Sequence, residues 1–185
     1  MIHLYDLDFS PCISCFYCKR KDKVHGTCAV NDDLSPVLES LKDVDGIIFG
    51  SPIYLMNLSA GMNAFLERFV FSNMIYSAEI PTVFPKTIPS AFIYTMNVTE
   101  EIANDIGLLS TLKFHQEFLE NILSEKIKSF YVYNTYQFND YDLYEHSIFS
   151  KENKLKSKLE QFPIDCKNAF NLGVELVEYL REYLK

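Results

Sequence analysis

The sequence contains no apolar run long enough to cross a membrane, and it has few basic residues. A bilayer span needs about 20 consecutive apolar residues, so we expect no membrane partner. The net charge is −8, from 25 acidic and 17 basic residues, whereas nucleic-acid phosphates are bound by clustered Lys and Arg. The only short basic run, residues 19–23, is typical of a solvated loop, and we expect no nucleic-acid partner.

A secretory leader is also missing, since Met1 is followed by Ile-His-Leu-Tyr-Asp without a basic segment or a small-residue cleavage site. We therefore expect a cytoplasmic protein. In a reducing cytosol, clustered cysteines indicate metal binding or redox chemistry rather than disulfides. No stretch has the composition of a flexible linker, and 185 residues are enough for one full core. Residues 1–185 are predicted to form a single domain.

A strand, a polar loop and a helix are predicted near the centre of the chain. Residues 47–49 form an apolar run between two glycines, which is typical of a central parallel strand covered on both faces. Residues 62–69 place apolar side chains on one helical face, and Asn57 or Ser59 is suited to cap that helix. Ligands of such sheets bind beyond the carboxyl ends of strands. We therefore expect a site at the loop 51–54.

The remaining sequence continues the alternation of strands and helices. Further strands are predicted at residues 2–7, 90–96 and 128–138, and further helices at 35–45, 99–125 and 166–184. Residues 72–89 hold three prolines and are predicted to be irregular. This order predicts an α/β fold with a parallel sheet, helices on both faces and right-handed crossovers.

Four of the five cysteines lie close together, at Cys12, Cys15, Cys18 and Cys28. A [4Fe–4S] cluster takes one cysteine per iron, and a C-x-x-C-x-x-C loop can supply three of them while a later residue supplies the fourth. A structural zinc ion also takes four ligands, and His25 is close enough to compete for one position. The thiols can also be free. The sequence leaves these three alternatives open.

The order GSPIY then SAGMNAFLER, preceded by PCISCFYC and GTCAVNDD, resembles the flavodoxin-like NAD(P)H-dependent FMN reductases, especially the branch with the iron–sulfur flavoproteins. The resemblance is strong over residues 5–69 and is limited to element order beyond them. It implies a flavodoxin-like three-layer sandwich with a mainly parallel sheet. It also implies an FMN-dependent oxidoreductase, with NAD(P)H as the electron donor or with electron transfer through the cluster, and with a small molecule or a protein as the acceptor.

The resemblance further implies that two loops contact the flavin ring. Hydride chemistry belongs to the cofactor, so no catalytic side chain is expected. The implied cofactor-binding residues are Ser51, Pro52, Ile53, Tyr54, Leu55 and Asn57 in the first loop and Thr95, Met96 and Asn97 in the second, and the implied metal ligands are Cys12, Cys15, Cys18 and Cys28.

In the family a strand, a phosphate-binding loop and a helix come first, and none of these precedes Ile2. We therefore expect a fold without the first family strand, in which the phosphate is held by other groups, such as those of a partner subunit, or FMN affinity is lost. The alternative is a non-catalytic binding or assembly module with zinc-bound or free cysteines. An unpaired strand at 2–7 invites pairing with another chain, so we also expect a homo-oligomer, either a dimer or a tetramer.

Overall fold

A computed structural model describes residues 1–183. Four strands form one sheet, and β1 pairs in parallel with β3, which pairs in parallel with β4, while β2 folds back antiparallel on the end of β1. The sheet order is β2-β1-β3-β4, with β1 at Ile47–Tyr54, β2 at Asn57–Leu58, β3 at Ser90–Thr95 and β4 at Ile127–Val132.

Six α-helices of the described residues alternate with these strands. They are α1 (Leu34–Ser40), α2 (Ala60–Asn73), α3 (Glu100–Asp105), α4 (Leu108–Leu123), α5 (Lys151–Lys156) and α6 (Phe162–Tyr183). A π-helical segment at Ser157–Gln161 joins the last two, and short 3₁₀ turns lie at Leu4–Asp6, Tyr17–Lys19 and Tyr141–Leu143. Within this described range, no helix combines the length and the apolar character that a membrane crossing requires.

Helices cover both faces of the sheet. On one face, the ring of Phe49 packs 6.1 Å from that of Phe65 on α2 and 5.5 Å from that of Phe92 on β3. On the other face, Lys128 of β4 forms an ion pair with Glu175 of α6 at 2.9 Å. The predicted α/β class, with a mainly parallel sheet between two helical layers, is confirmed, and the arrangement is consistent with a flavodoxin-like fold.

The strand predicted at residues 2–7 is wrong, because this segment contains a 3₁₀ turn at Leu4–Asp6 and joins no sheet. Its backbone groups bond locally instead: the N–H of Asp6 donates to the carbonyl of His3 at 3.0 Å, and that of Leu7 to the carbonyl of Leu4 at 3.3 Å. An alternating apolar pattern forms a strand only where a neighbouring strand supplies hydrogen bonds. No such neighbour reaches this segment within residues 1–183.

The prediction that the apolar run 47–49 is covered on both faces is also wrong. Phe49 is buried, but the side chain of Ile48 is 46% exposed on the α6 face. Since β2 pairs only with Ile53 and Tyr54, the first part of β1 is an edge of the sheet. An open groove of about 590 Å³ runs along this edge.

The helices differ from prediction mainly in their faces and ends. The helix predicted at 99–125 is broken at Gly107, whose φ of 73° lies in the left-handed region that glycine adopts without strain. The helical period of this segment predicts that Ile102 and Ile106 face the core, but both are exposed. The spacing of Phe170, Val174, Val177, Leu180 and Leu184 predicts the buried stripe of the final helix. In the structure this helix is buried through Leu172 and Leu176, Leu180 is half-buried, and Phe170, Val174 and Val177 are exposed. Leu184 of that stripe lies outside the described residues.

Candidate functional site

The β1–β2 hairpin turns sharply at the carboxyl end of β1. Its register pairs Tyr54 with Asn57, which leaves Leu55 and Met56 as the two turn residues. Both have positive φ, 50° and 64°, as in the type I′ turns that normally contain Asn and Gly. A left-handed conformation costs a residue with a side chain roughly 1–2 kcal/mol. Bulky residues held in this way are found mostly at functional sites.

Ser51 joins this hairpin to the start of α2. Its buried hydroxyl donates to the carbonyl of Pro52 at 2.8 Å and accepts the N–H of Ser59 at 3.0 Å. Ser59 then caps α2 by accepting the N–H of Met62 at 3.3 Å, as the sequence allowed for Ser59 or Asn57. The hairpin and α2 are therefore connected by hydrogen bonds as well as by the chain.

The groove along β1 reaches the hairpin. Pro52, Tyr54 and Ser59 line it together with mainly apolar side chains of the N-terminal segment, α1 and α2. Its volume of about 590 Å³ is within the range of small-ligand pockets. The Tyr54 side chain is 58% exposed beside it. None of the residues that line the groove, all in the described range, is Lys or Arg. The basic side chain that does line it, His3, lies 3.2 Å from Oδ1 of Asp6, so the groove offers mainly apolar surface.

Asn57 receives a hydrogen bond that was not expected from the sequence. Nε2 of His115, on α4, lies 2.8 Å from Oδ1 of Asn57. The same oxygen accepts the N–H of Leu58 at 2.8 Å, so His115 must act as the donor. Burial lowers the pKa of His115, which favours the neutral ring with its proton on Nε2. His115 thereby fixes the end of the hairpin against α4.

The second predicted loop lies beside the first, because Thr95 pairs in register with Pro52. Met96 is buried, and its backbone is fully used: its N–H donates to Val132 at 2.9 Å and its carbonyl accepts the N–H of Thr135 at 3.0 Å. Oδ1 of Asn97 is buried without a hydrogen-bond partner among the described residues. The polar atom left free on this loop is therefore the Asn97 side-chain oxygen.

Lys154, on α5, holds this second loop from behind. Its side chain is 2% exposed, and Nζ donates to the carbonyls of Asn97 at 2.5 Å and Thr135 at 3.3 Å. No carboxylate of residues 1–183 forms an ion pair with it. Burial lowers the pKa of Lys154 to about 8.

The cysteine loop, residues 10–32, places its four cysteines around one small cavity. Cys12, Cys15, Cys18 and Cys28 all line it, and all are free thiols. Burial raises the pKa of Cys18, although the charge of Lys19 acts in the opposite direction. The cavity measures about 20 Å³, which is room for about one water molecule. In the described part of the chain, no three His, Cys, Asp or Glu side chains are arranged to hold a metal ion.

Residues one turn apart on α2 hold the cysteine loop in place. Oε2 of Glu67 accepts the N–H of Cys12 at 3.2 Å. The carbonyl of Phe71 accepts from Nζ of Lys19 and, at 3.8 Å, from Sγ of Cys18. Because α2 begins at the hairpin, one helix positions both the hairpin and the cysteine loop.

Arg68 forms the central contact between α2 and this loop. Its Nη1 donates to Oδ2 of Asp32 at 2.6 Å and to the carbonyl of Ser10 at 3.2 Å, and its Nη2 donates to the carbonyl of Val30 at 3.0 Å. Burial alone would raise the pKa of Asp32, but the hydrogen bonds from Arg68 and Ser10 and the charge of Arg68 lower it below its usual value. Asp32 is therefore ionised near neutral pH.

Three residues of this region were missed by sequence reasoning: Arg68, His115 and Lys154. Each is a polar side chain on a helix, where the pattern indicates a solvent-facing position. The signal that was present is the position of Arg68 in the quoted SAGMNAFLER stretch. Nothing local marked His115 or Lys154. The partner of His115 is 58 residues away in the chain, and those of Lys154 are 57 and 19 residues away.

The sequence model of one known protein family matches the part of the chain that carries this geometry. Residues 1–83 match the sequence model of the NADPH-dependent FMN reductases. The resemblance inferred from the sequence is thus confirmed for the part of the chain that holds the cysteine loop, β1, the hairpin and α2.

Curated relatives are named iron–sulfur flavoproteins. The chain is 39% identical over 67 residues to one from Methanocaldococcus jannaschii, which covers 36% of this chain and 33% of the relative. It is 37% identical over 59 residues to one from Archaeoglobus fulgidus, a match that covers 32% of this chain and 28% of the relative. It is 32% identical over 63 residues to one from Methanosarcina thermophila, a match that covers 34% of this chain and 31% of the relative. The chain thus spans about a third of the length of the curated relatives it matches.

Proposed function

We propose that this protein is a flavin-dependent oxidoreductase of the iron–sulfur flavoprotein type. The observation that carries the proposal is the β1–β2 hairpin, whose two bulky turn residues are held with positive φ beside an apolar groove at the carboxyl end of a parallel strand. The family match over residues 1–83 includes this hairpin. A bound FMN would accept a hydride from NAD(P)H and pass electrons on to a small-molecule or protein acceptor.

The residues present fit the ring of a flavin better than its phosphate. Tyr54 offers an exposed aromatic face beside the groove. The cofactor-binding set we propose is the one expected from the sequence, with Met96 acting through the position of its loop because its side chain is buried. The groove has no Lys or Arg among its lining residues, so the phosphate would be held by other groups, such as those of a partner subunit.

The four cysteines form a donor set that fits a [4Fe–4S] cluster, because one short loop brings four thiols to one cavity. A cluster is larger than the present cavity of about 20 Å³, so the loop would move outward to hold it. Ser14 and Phe16 in this loop have positive φ, 52° and 55°, which is backbone strain of the kind found at functional sites.

Titration with two flavins tests the proposal. FMN and riboflavin differ only in the phosphate, and no Lys or Arg lines the groove, so we expect this chain to bind both. A dissociation constant for FMN more than about threefold below that for riboflavin would show that groups outside the groove, such as those of a partner subunit, hold the phosphate. Tyr54→Ala should weaken both by about 5- to 30-fold through loss of an aromatic contact. Tyr144→Ala, an exposed tyrosine outside the groove, is the control. Binding of neither flavin would contradict the proposal.

The second candidate is a non-catalytic assembly module, and the observation that favours it is that no Lys or Arg lines the groove. Anaerobic purification followed by metal analysis separates the two. Iron and sulfide with flavin absorbance would support the oxidoreductase. Stoichiometric zinc without flavin would support the assembly module.

We also propose that the chain forms a homo-oligomer, a dimer or a tetramer. The first part of β1 has no strand beside it on one side within the described residues, and exposed strand edges pair readily with other chains. Light scattering at micromolar concentration should give a mass above that of one chain. A monomer would overturn this proposal and leave the flavin proposal untouched.

A further inference from the structure

The guanidinium of Arg68 joins the two ends of the cysteine loop. Arg68 is only 1% exposed. It donates to the carbonyl of Ser10, two residues before Cys12, and to the carbonyl of Val30, two residues after Cys28. A planar guanidinium carries five N–H donors in a fixed fork, whereas a lysine ammonium carries three donors at a single nitrogen, so Arg68 is suited to hold Asp32 and both carbonyls at once.

Arg68 has one nitrogen that this network does not use. Nε is buried and has no hydrogen-bond partner among the described residues. A buried donor without an acceptor costs about 1–3 kcal/mol, so native structures rarely leave one without a reason. Arg68 also lines the four-cysteine cavity. A group bound in this cavity is therefore a candidate acceptor for the Nε–H of Arg68.

Charge leads to the same conclusion. Four thiolates around one cavity would carry four negative charges before any metal is counted. Arg68, paired with Asp32, places a permanent positive charge at the cavity wall. Lys19 places a second cation beside Cys18, since its Nζ and the Cys18 Sγ donate to the same carbonyl, that of Phe71. Hydrogen bonds to cluster sulfur and the net charge nearby are the levers by which a protein sets a cluster's reduction potential.

We propose that Arg68 is the positioning residue of the cysteine site: it closes the loop through Ser10 and Val30, and its free Nε–H would be available as a donor to the group that the four cysteines would hold. This role rests on the proposed cluster. It goes beyond the ligand set, because Arg68 would determine how firmly the cluster is held and at what potential it is reduced.

The substitution Arg68→Lys tests this role, because it keeps the charge and removes the fork and Nε. Full-length protein would be reconstituted anaerobically with iron and sulfide. We expect iron release to a chelator to become about tenfold faster than in the wild type and the midpoint potential to become more negative, since one N–H donor available to the cluster is lost. The matched control is Arg20→Lys, in the same loop but exposed and bound only to Asp22, which should change neither quantity.

A second readout needs no metal. The basic run at 19–23 supplies trypsin sites inside the cysteine loop, and Arg68→Lys should speed their cleavage in the metal-free protein while thermal unfolding remains cooperative. If Arg68→Lys does not fold, Arg68→Gln combined with Asp32→Asn removes both buried charges and serves for the same measurements. In whichever variant folds, iron release and cleavage at wild-type rates would overturn the role of Arg68. A wild-type protein that holds no iron would instead overturn the cluster, and the cleavage rates would still decide whether Arg68 closes the loop.

Discussion

Two irregular segments of this protein are each held by a buried cation, and they differ in how that cation is compensated. Arg68 holds the cysteine loop with an ion pair to Asp32 and with two backbone carbonyls. Lys154 holds the segment after β3 and β4 with two carbonyls and, within residues 1–183, without an ion pair. The contacts to carbonyls are alike, so the difference lies in the carboxylate.

The difference follows from the chemistry of the two side chains. A guanidinium keeps its proton at all ordinary pH values, so its burial requires a charge of opposite sign. An ammonium can lose its proton, and the pKa of Lys154 falls to about 8, so its burial is tolerated with neutral acceptors alone. The cysteine loop is thus held by a permanent charge pair, whereas the second loop is held by a group that titrates.

The largest expected effect comes from breaking the charge pair. Asp32→Asn would leave Arg68 buried without its counter-charge, and the side chain of Asp32 is only 15% exposed. We expect the free energy of unfolding, measured by denaturant titration at pH 7, to fall by about 3 kcal/mol. Asp22→Asn breaks the exposed pair with Arg20 and should have little effect. Equal effects of the two substitutions would contradict the distinction between the two pairs.

A smaller loss is expected when the lysine is removed. Lys154→Met keeps an unbranched apolar side chain but leaves the carbonyls of Asn97 and Thr135 without their donor. We expect a loss of about 2 kcal/mol at pH 7 by the same measurement. Lys151→Met removes an exposed lysine bound to Asp142 and is the control. An unchanged stability of Lys154→Met would show that the segment is held by other contacts.

The pH dependence of stability separates the two cations further. The pKa of Lys154 is about 8 in the folded chain and about 10.4 in an unfolded one. Between these values the unfolded state binds more protons, so this residue makes the folded state more stable as pH rises. The advantage of the wild type over Lys154→Met should therefore grow by about 1 kcal/mol from pH 8 to pH 9.

The stability advantage of the wild type over Asp32→Asn should stay constant from pH 8 to pH 9. The charge of Arg68 is constant in this range, and the pKa of Asp32 lies below its usual value. Unfolding titrations of wild type, Lys154→Met and Asp32→Asn at pH 7, 8 and 9 would measure both differences. A parallel pH dependence for the two variants would contradict the contrast between the cations.

The smallest effect concerns a segment that is held without a buried cation. Leu55→Asn combined with Met56→Gly places the preferred residues of a type I′ turn in the β1–β2 hairpin. Relief of the positive-φ strain should stabilise the chain by about 1 kcal/mol, and loss of Leu55 should weaken flavin binding. The variant Asn134→Gly relieves a positive φ of 52° away from the groove, so it should leave flavin binding unchanged. Stabilisation without any loss of flavin affinity would remove Leu55 from the proposed site.

Much of the architecture was accessible from the sequence because it depends on local patterns. The strands at 90–95 and 127–132 overlap the predicted runs, and α2 begins after Ser59 as its cap indicated. The four cysteines were expected to gather, and they line one cavity. These features follow from residue spacing, glycine borders and capping chemistry, which act over a few residues. The loop predicted at 51–54 is wrong, because β1 continues to Tyr54 through its pairing with β2 and β3 and the turn lies at residues 55 and 56.

The tertiary structure alone decided which partners these elements have. The segment 2–7 has the composition of a strand, but no neighbouring strand completes its hydrogen bonds, so it turns instead. Arg68, His115 and Lys154 have the sequence context of exposed side chains, yet each is placed against acceptors that are 19 to 58 residues away. Local sequence determines which backbone conformation is favoured, whereas burial of a charge depends on distant groups that only the packed chain brings within hydrogen-bonding distance.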